Sequence, residues 1–138
     1  MKYGSLIMEK KDYLTLKRIL NFHRYYEDYA HKDALEQLGE RIDQALVEDE
    51  WDMPDDVVRL NSKVMVEFMK GSRQTFHLVA STRDDLKNNM VSVASTLGSS
   101  LIGLAVGDQI QLGFPSDIQS FKIVGVEQSH QTSPSFDL

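Results

Sequence analysis

Met90-Val91-Ser92-Val93-Ala94-Ser95-Thr96-Leu97-Gly98-Ser99-Ser100-Leu101-Ile102-Gly103-Leu104-Ala105-Val106-Gly107-Asp108-Gln109-Ile110-Gln111-Leu112 is the stretch on which the fold turns. Val91 and Val93 alternate with polar or small neighbours, an apolar patch follows at Leu97, Leu101, Ile102 and Leu104, and alternation resumes at Ile110 and Leu112. The pattern predicts strand, short helix, strand. Gly103 and Gly107 bracket the exit from the helix, and Gly107-Asp108 has the turn chemistry that lets an extended segment begin at once. So short a helix is marginal alone in water, so it is expected to lie across a sheet built by the strands around it.

Upstream, Val64, Val66 and Phe68 share one face of a predicted strand, and Phe76, Leu78 and Ala80 share one face of the next. Lys70-Gly71-Ser72 supplies the turn between them, which makes an antiparallel pair. Asn88-Asn89 suits a turn into the central stretch, and Phe114-Pro115-Ser116-Asp117 suits a turn into a last strand, Ile118 to Val126. Ser129 to Leu138, with three serines and a proline, reads as a mobile tail.

The first fifty residues change period. After a lead-in whose Leu6-Ile7-Met8 can pack beneath the next element, Asp12 is placed to cap a helix with the stripe Tyr13, Leu16, Leu20 and His23. A second helix, from about Lys32 to Val47, carries Leu35, Leu38, Ile42 and Ala45 at the same spacings, with Gly39 a mild weakness inside it. Two such helices joined by a short polar segment predict an antiparallel, coiled-coil-like hairpin. About fifteen residues per helix reach roughly 20 to 25 Å, which is a stub. Glu48 to Asp56 is an acidic junction closed by Pro54, and the boundary between arm and sheet unit is placed there.

Composition excludes several classes. The 138 residues fit one domain with an appendage, and 41% hydrophobic residues suffice for an ordinary core. A net charge of −6 argues against wrapping duplex nucleic acid and for protein partners. Without cysteine there are no disulfides, thiolate zinc sites or cysteine nucleophiles. His23, His31, His77 and His130 are scattered, the acidic junction lacks the glycine and final glutamate of an EF-hand, and Gly98-Ser99-Ser100 is no nucleophile elbow. No catalytic residue, metal or cofactor is expected. No apolar run approaches the ~18 residues of a membrane span, so a cytoplasmic, monomeric protein is the expectation.

The run from Val91 to Gly107-Asp108, read with Met53-Pro54-Asp55-Asp56-Val57-Val58 and Asn61-Ser62, resembles the C-terminal domain of the bacterial Gre transcription factors. It is more similar still to the small regulators of nucleoside diphosphate kinase, the Rnk proteins, which carry a shortened helical arm. The resemblance is close from Pro54 to about Gln128, and in the first fifty residues it is one of pattern only. It implies an α+β protein with three parts. Residues 1–52 would form a short antiparallel helical hairpin, 53–128 an FKBP-like bent antiparallel sheet with one short helix, and 129–138 a flexible tail. It also implies transcription-elongation work on RNA polymerase near its secondary channel, with nucleic acid met only through the polymerase complex and an arm too short to stimulate transcript cleavage. Two other readings stand beside it: an interaction module with a different protein partner, and a prolyl isomerase using Phe68, Phe76, Phe114 and Phe121.

Two groups of residues become candidates through the resemblance. In Gre factors acidic residues at the arm's tip help hold a catalytic magnesium ion, which needs hard oxygen ligands, and here Glu27, Asp28 and Asp33 lie in the connection between the helices. The bland alternative is a solvated loop. Gre proteins commonly contact polymerase through an Asp-Ser-Pro-like sequence where this chain has Ala94-Ser95-Thr96, so only Ser95 matches. Ser95, Thr96, Ser99 and Ser100 are therefore candidate polymerase contacts, and helix capping is the alternative.

Overall fold

The computed structural model describes residues 2–26, 32–80, 88–112 and 119–128. Phe114 to Asp117 and the last ten residues lie outside them. Strands β3 (Lys63–Phe68), β4 (Arg73–Val79), β5 (Met90–Ser92), β6 (Gln109–Leu112) and β7 (Gln119–Glu127) form one sheet in the order β5-β4-β3-β7-β6. Period-two patterning decides its faces. Val64, Val66, Phe76, Leu78, Phe121 and Ile123 are buried, while Lys63, Met65, Thr75 and Lys122 between them are exposed. Gly71, at φ +93°, closes the β3–β4 turn as its sequence suggested.

The sheet departs from the antiparallel expectation at one place. β5 runs parallel to β4, pairing His77 with Met90 and Val79 with Ser92. A parallel neighbour needs a crossover longer than a tight turn, and Asn89, at φ 58°, steers the chain into β5. Alternation of apolar residues is the same in either sense, so the pattern carried no direction. Between β3 and β7 the register slips at Met65/Val66, where Gly125 faces Met65, and such a bulge curls the sheet.

Helix α3 (Thr96–Leu101) follows β5 and buries Leu101 and Ile102 in the main apolar cluster. Strand, short helix, strand is therefore the observed order of the central stretch.

In the first fifty residues two boundaries move. Helix α1 (Lys10–Tyr26) starts before Asp12, because the carboxylate of Glu9 accepts the backbone N–H of Lys11 and takes the capping role. Helix α2 (Lys32–Gln44) stops short of Val47 because the N–H of Leu46 turns to the carbonyl of Leu6 at 2.8 Å. Residues Leu46–Glu48 form β2, which pairs in parallel with β1 (Ile7–Glu9), a two-stranded sheet that no sequence period announced. The stripes do face inward: Leu16, Leu38 and Ile42 are fully buried, Leu35 nearly so, and Tyr13, Leu20 and Ala45 half-buried beside them. The side chain of His23 lies outside the described residues. Leu20 lies 3.8 Å from where a side chain on Gly39 would begin, and Lys17 pairs with Asp43 at 3.4 Å. Contacts from α1 thus advance as those on α2 retreat. At 1.5 Å per residue, 17 and 13 residues give helices of about 25 and 20 Å. One apolar cluster holds Leu6 and Leu38 together with Val64 and Ile123, and a smaller one at the junction joins Met53 to Ile7, Val57 and Ala105.

Candidate functional site

The serine-rich segment before and within α3 is a closed network of local bonds. Ser95, in extended conformation at the N-cap, accepts the N–H of Gly98 at 3.0 Å and donates to the carbonyl of Ser92 at 2.7 Å. Ser99 and Ser100 both donate to the carbonyl of Thr96, at 3.2 and 2.7 Å. The Ser92 hydroxyl accepts the N–H of Ala94 at 3.0 Å. Ser95, Ser99 and Ser100 are buried, whereas Thr96 is exposed. Of the four candidate contact residues, Thr96 alone presents its side chain to solvent, and the three serines hold the helix in place.

Gly98 explains why that network is so tight. A Cβ there would lie 1.9 Å from the carbonyl oxygen of Ser92, so the helix backbone sits directly on the end of β5. Any side chain there forces the backbone of β5 or of the helix to move.

After α3 the chain is pinned by Asp108, 8% exposed. One carboxylate oxygen accepts the N–H of Ala105 at 2.9 Å and the other the N–H of Lys2 at 2.8 Å. The turn residue read from Gly107-Asp108 thus also fastens the N-terminus. Asp56, in the acidic junction, receives Lys2 Nζ and the Tyr3 hydroxyl, the latter at 2.7 Å. Burial pushes the Asp56 carboxyl up, but those two donors outweigh it and hold it below its ordinary value. Gln128 donates to the carbonyls of Val57 and Asp55 at 2.6 and 3.2 Å and accepts from Ser62 at 2.7 Å, which ties the last strand to the start of the sheet unit.

A charged cluster joins the base of α1 to the chain beyond the junction. Arg59 lies 3.7 Å from Glu9, 3.8 Å from Asp12 and 4.0 Å from Glu50. Asp12, which the sequence placed at a helix cap, instead accepts the backbone N–H of Leu60 at 3.1 Å. Its carboxyl is pushed up to about 6, chiefly by burial, against the opposing pull of the Leu60 bond and Arg59. Nothing local in the sequence links four residues spread over fifty positions, so this cluster was not legible there.

Glu27 and Asp28 lie outside the described residues. Asp33 belongs to the first turn of α2, not to the connecting loop, and its side chain is not described. Among the described residues no group of three or more His, Asp or Glu is arranged to hold a metal ion, and no helix is long and apolar enough to cross a membrane. Three aromatic residues of the isomerase reading are packed, Phe68 and Phe121 standing 5.7 Å apart between ring centres and Phe76 buried, while Phe114 lies outside the described residues.

The sequence profile described as "Transcription elongation factor, GreA/GreB, C-term" matches residues 53–128, more than half the chain. This chain belongs to the GreA/GreB family. Among its relatives, the transcription elongation factor GreA of Clostridium acetobutylicum is 35% identical over 92 residues, covering 66% of this chain and 58% of that protein. GreA of Clostridium botulinum (strain Langeland) is 31% identical over 140 residues, covering 94% and 88%. The chain spans somewhat under two thirds of the first GreA relatives it matches. A solved GreA/GreB structure from Nitrosomonas europaea superposes with a TM-score of 0.75 over 89% of this chain and 99% of that one, at 24% identity, which speaks for the fold. The GreA/GreB match contains α3, the Gly98 approach and Asp108, whereas α1 and α2 precede it.

Proposed function

We propose that this protein is a transcription-elongation accessory factor that binds RNA polymerase near the secondary channel through residues 53–128. Its two helices stand at the channel mouth as a stubby hairpin without provoking transcript cleavage. The observation that carries the reading is the GreA/GreB match over 53–128 joined to helices of 17 and 13 residues. A tip that cannot reach the polymerase's metal cannot share it, so Glu27, Asp28 and Asp33 act by charge at the entrance, and the factor competes with longer-armed Gre proteins. In this reading the chain stands beside the Rnk proteins, and its curled sheet is of the FKBP-like kind. Binding of the purified chain to bacterial core polymerase tests it: a complex at micromolar concentration is expected, and none at that concentration would overturn it.

The burial of Ser95, Ser99 and Ser100 favours one further reading, that docking uses other residues and a different protein partner. Thr96 replaced by a photo-crosslinking residue in cell extract separates the two, since polymerase subunits are captured only under the first.

A further inference from the structure

A cleft of about 470 Å³ opens between α2, the end of α3, β6 and the N-terminal lead-in. Its size is that of a small-molecule site. The residues that decide its chemistry are Gln37, Arg41 and Gln44 from α2, Ser100 from α3, and Gln109 and Gln111 from β6. Among the described residues no carboxylate lines it. Among those residues the one charge is the positive charge of Arg41, and four glutamine amides share the lining with it.

Arg41 is held in place rather than swinging in solvent. Nη2 donates to the carbonyls of Ser100 and Ile102, at 3.1 and 3.3 Å, at the C-terminal end of α3. Those two bonds fix the guanidinium plane but bring no negative charge. Nε is buried and has no acceptor. A buried N–H without an acceptor typically costs about 1 to 3 kcal/mol, and a cation without a counter-ion is a poor occupant of such a place. Burial accordingly lowers the guanidinium's hold on its proton. A fixed arginine facing neutral amides is the arrangement that recognises one acid group on an otherwise neutral, hydrogen-bonding molecule.

We propose that this cleft binds a small molecule bearing one acid group, a phosphate or a carboxylate, with the acid at Arg41 and the neutral body read by Gln37, Gln44, Gln109 and Gln111. The occupant would bridge α2 to β6, and its binding does not depend on the polymerase reading. The test is a titration of the ¹⁵N-labelled full chain with inorganic phosphate and, separately, with acetate, at ionic strength held constant with chloride. The Arg41 Nε–H and the backbone amides of Gln109 and Gln111 are followed. Saturable shifts with a millimolar or lower dissociation constant are expected with at least one probe, and the tighter probe identifies the acid group. Gln111→Glu, which adds a carboxylate at the exposed rim, leaves the spectrum folded and weakens binding about tenfold or more. Arg41→Lys, which keeps the charge but loses the planar fork, also weakens it. Shifts that never saturate with either probe, or saturate equally in Gln111→Glu, overturn the proposal.

Discussion

The α3 segment and the N-terminal helices are secured by opposite means. Around the start of α3 the partners are neighbours in sequence: Ser92 with Ser95, Ser95 with Gly98, Thr96 with Ser99 and Ser100. At the N-terminus they are distant: Lys2 with Asp56 and Asp108, Asp12 with Leu60, Glu9 with Arg59. Local bonds form with little loop-closure cost, whereas distant ones form only once the chain between them is ordered. The sheet unit therefore supplies the frame, and the N-terminal helices hold their place only while that frame exists.

Substitutions in each region can break this contrast or sharpen it. The largest effect is expected for Gly98→Ala, since its Cβ would fall 1.9 Å from the Ser92 carbonyl and a backbone must move. A loss of about 3 kcal/mol or more by denaturant unfolding is expected. Both regions should unfold together in that variant, and a folded N-terminal segment surviving it would break the contrast.

Asp108→Ala comes next. It strips the acceptor from the N–H groups of Ala105 and Lys2, so about 2 kcal/mol is expected to be lost, and hydrogen exchange should rise at both amides. Ser95→Ala removes the cap of α3 and should cost about 1 kcal/mol, measured in the same way. If Ser95 were a docking residue and no cap, stability would be unchanged while polymerase affinity fell.

The last effect is one of pH. Asp12 has its carboxyl raised from 3.8 to about 6, so the folded chain binds that proton more tightly than the unfolded one. Its contribution therefore favours folding most below pH about 4 and fades as pH rises to about 6. Asp12→Asn, which retains an acceptor for the Leu60 N–H, should flatten this part of the melting-temperature profile. An identical slope in the two proteins would remove Asp12 as its source.

Legibility in the sequence divides along the same line. Gly71, Asn89, the inward Val64–Val66 and Phe76–Leu78 pairs, and the Leu16, Leu38 and Ile42 stripe were readable because each depends on a period or a turn within a few residues. The β1–β2 pair was not, because three-residue strands separated by two helices carry no period of their own. Nor was the sense of β5, since alternation is blind to strand direction. The serines of α3 suggested contact or capping alike, and only their burial separates Ser95, Ser99 and Ser100 from exposed Thr96. Nothing local in the sequence marks Arg41 or Arg59, since what distinguishes them is their contacts with residues far along the chain.

The central claim is that a GreA/GreB sheet unit engages polymerase while its helices are too short to act at the metal. Stalled elongation complexes, supplied with this chain alone and then together with a full-length GreA, test it most directly. The account predicts no cleavage of the transcript by this chain alone, and a dose-dependent fall in the cleavage that GreA provokes. Cleavage stimulated by this chain alone, or GreA activity untouched at saturating amounts of it, would contradict it.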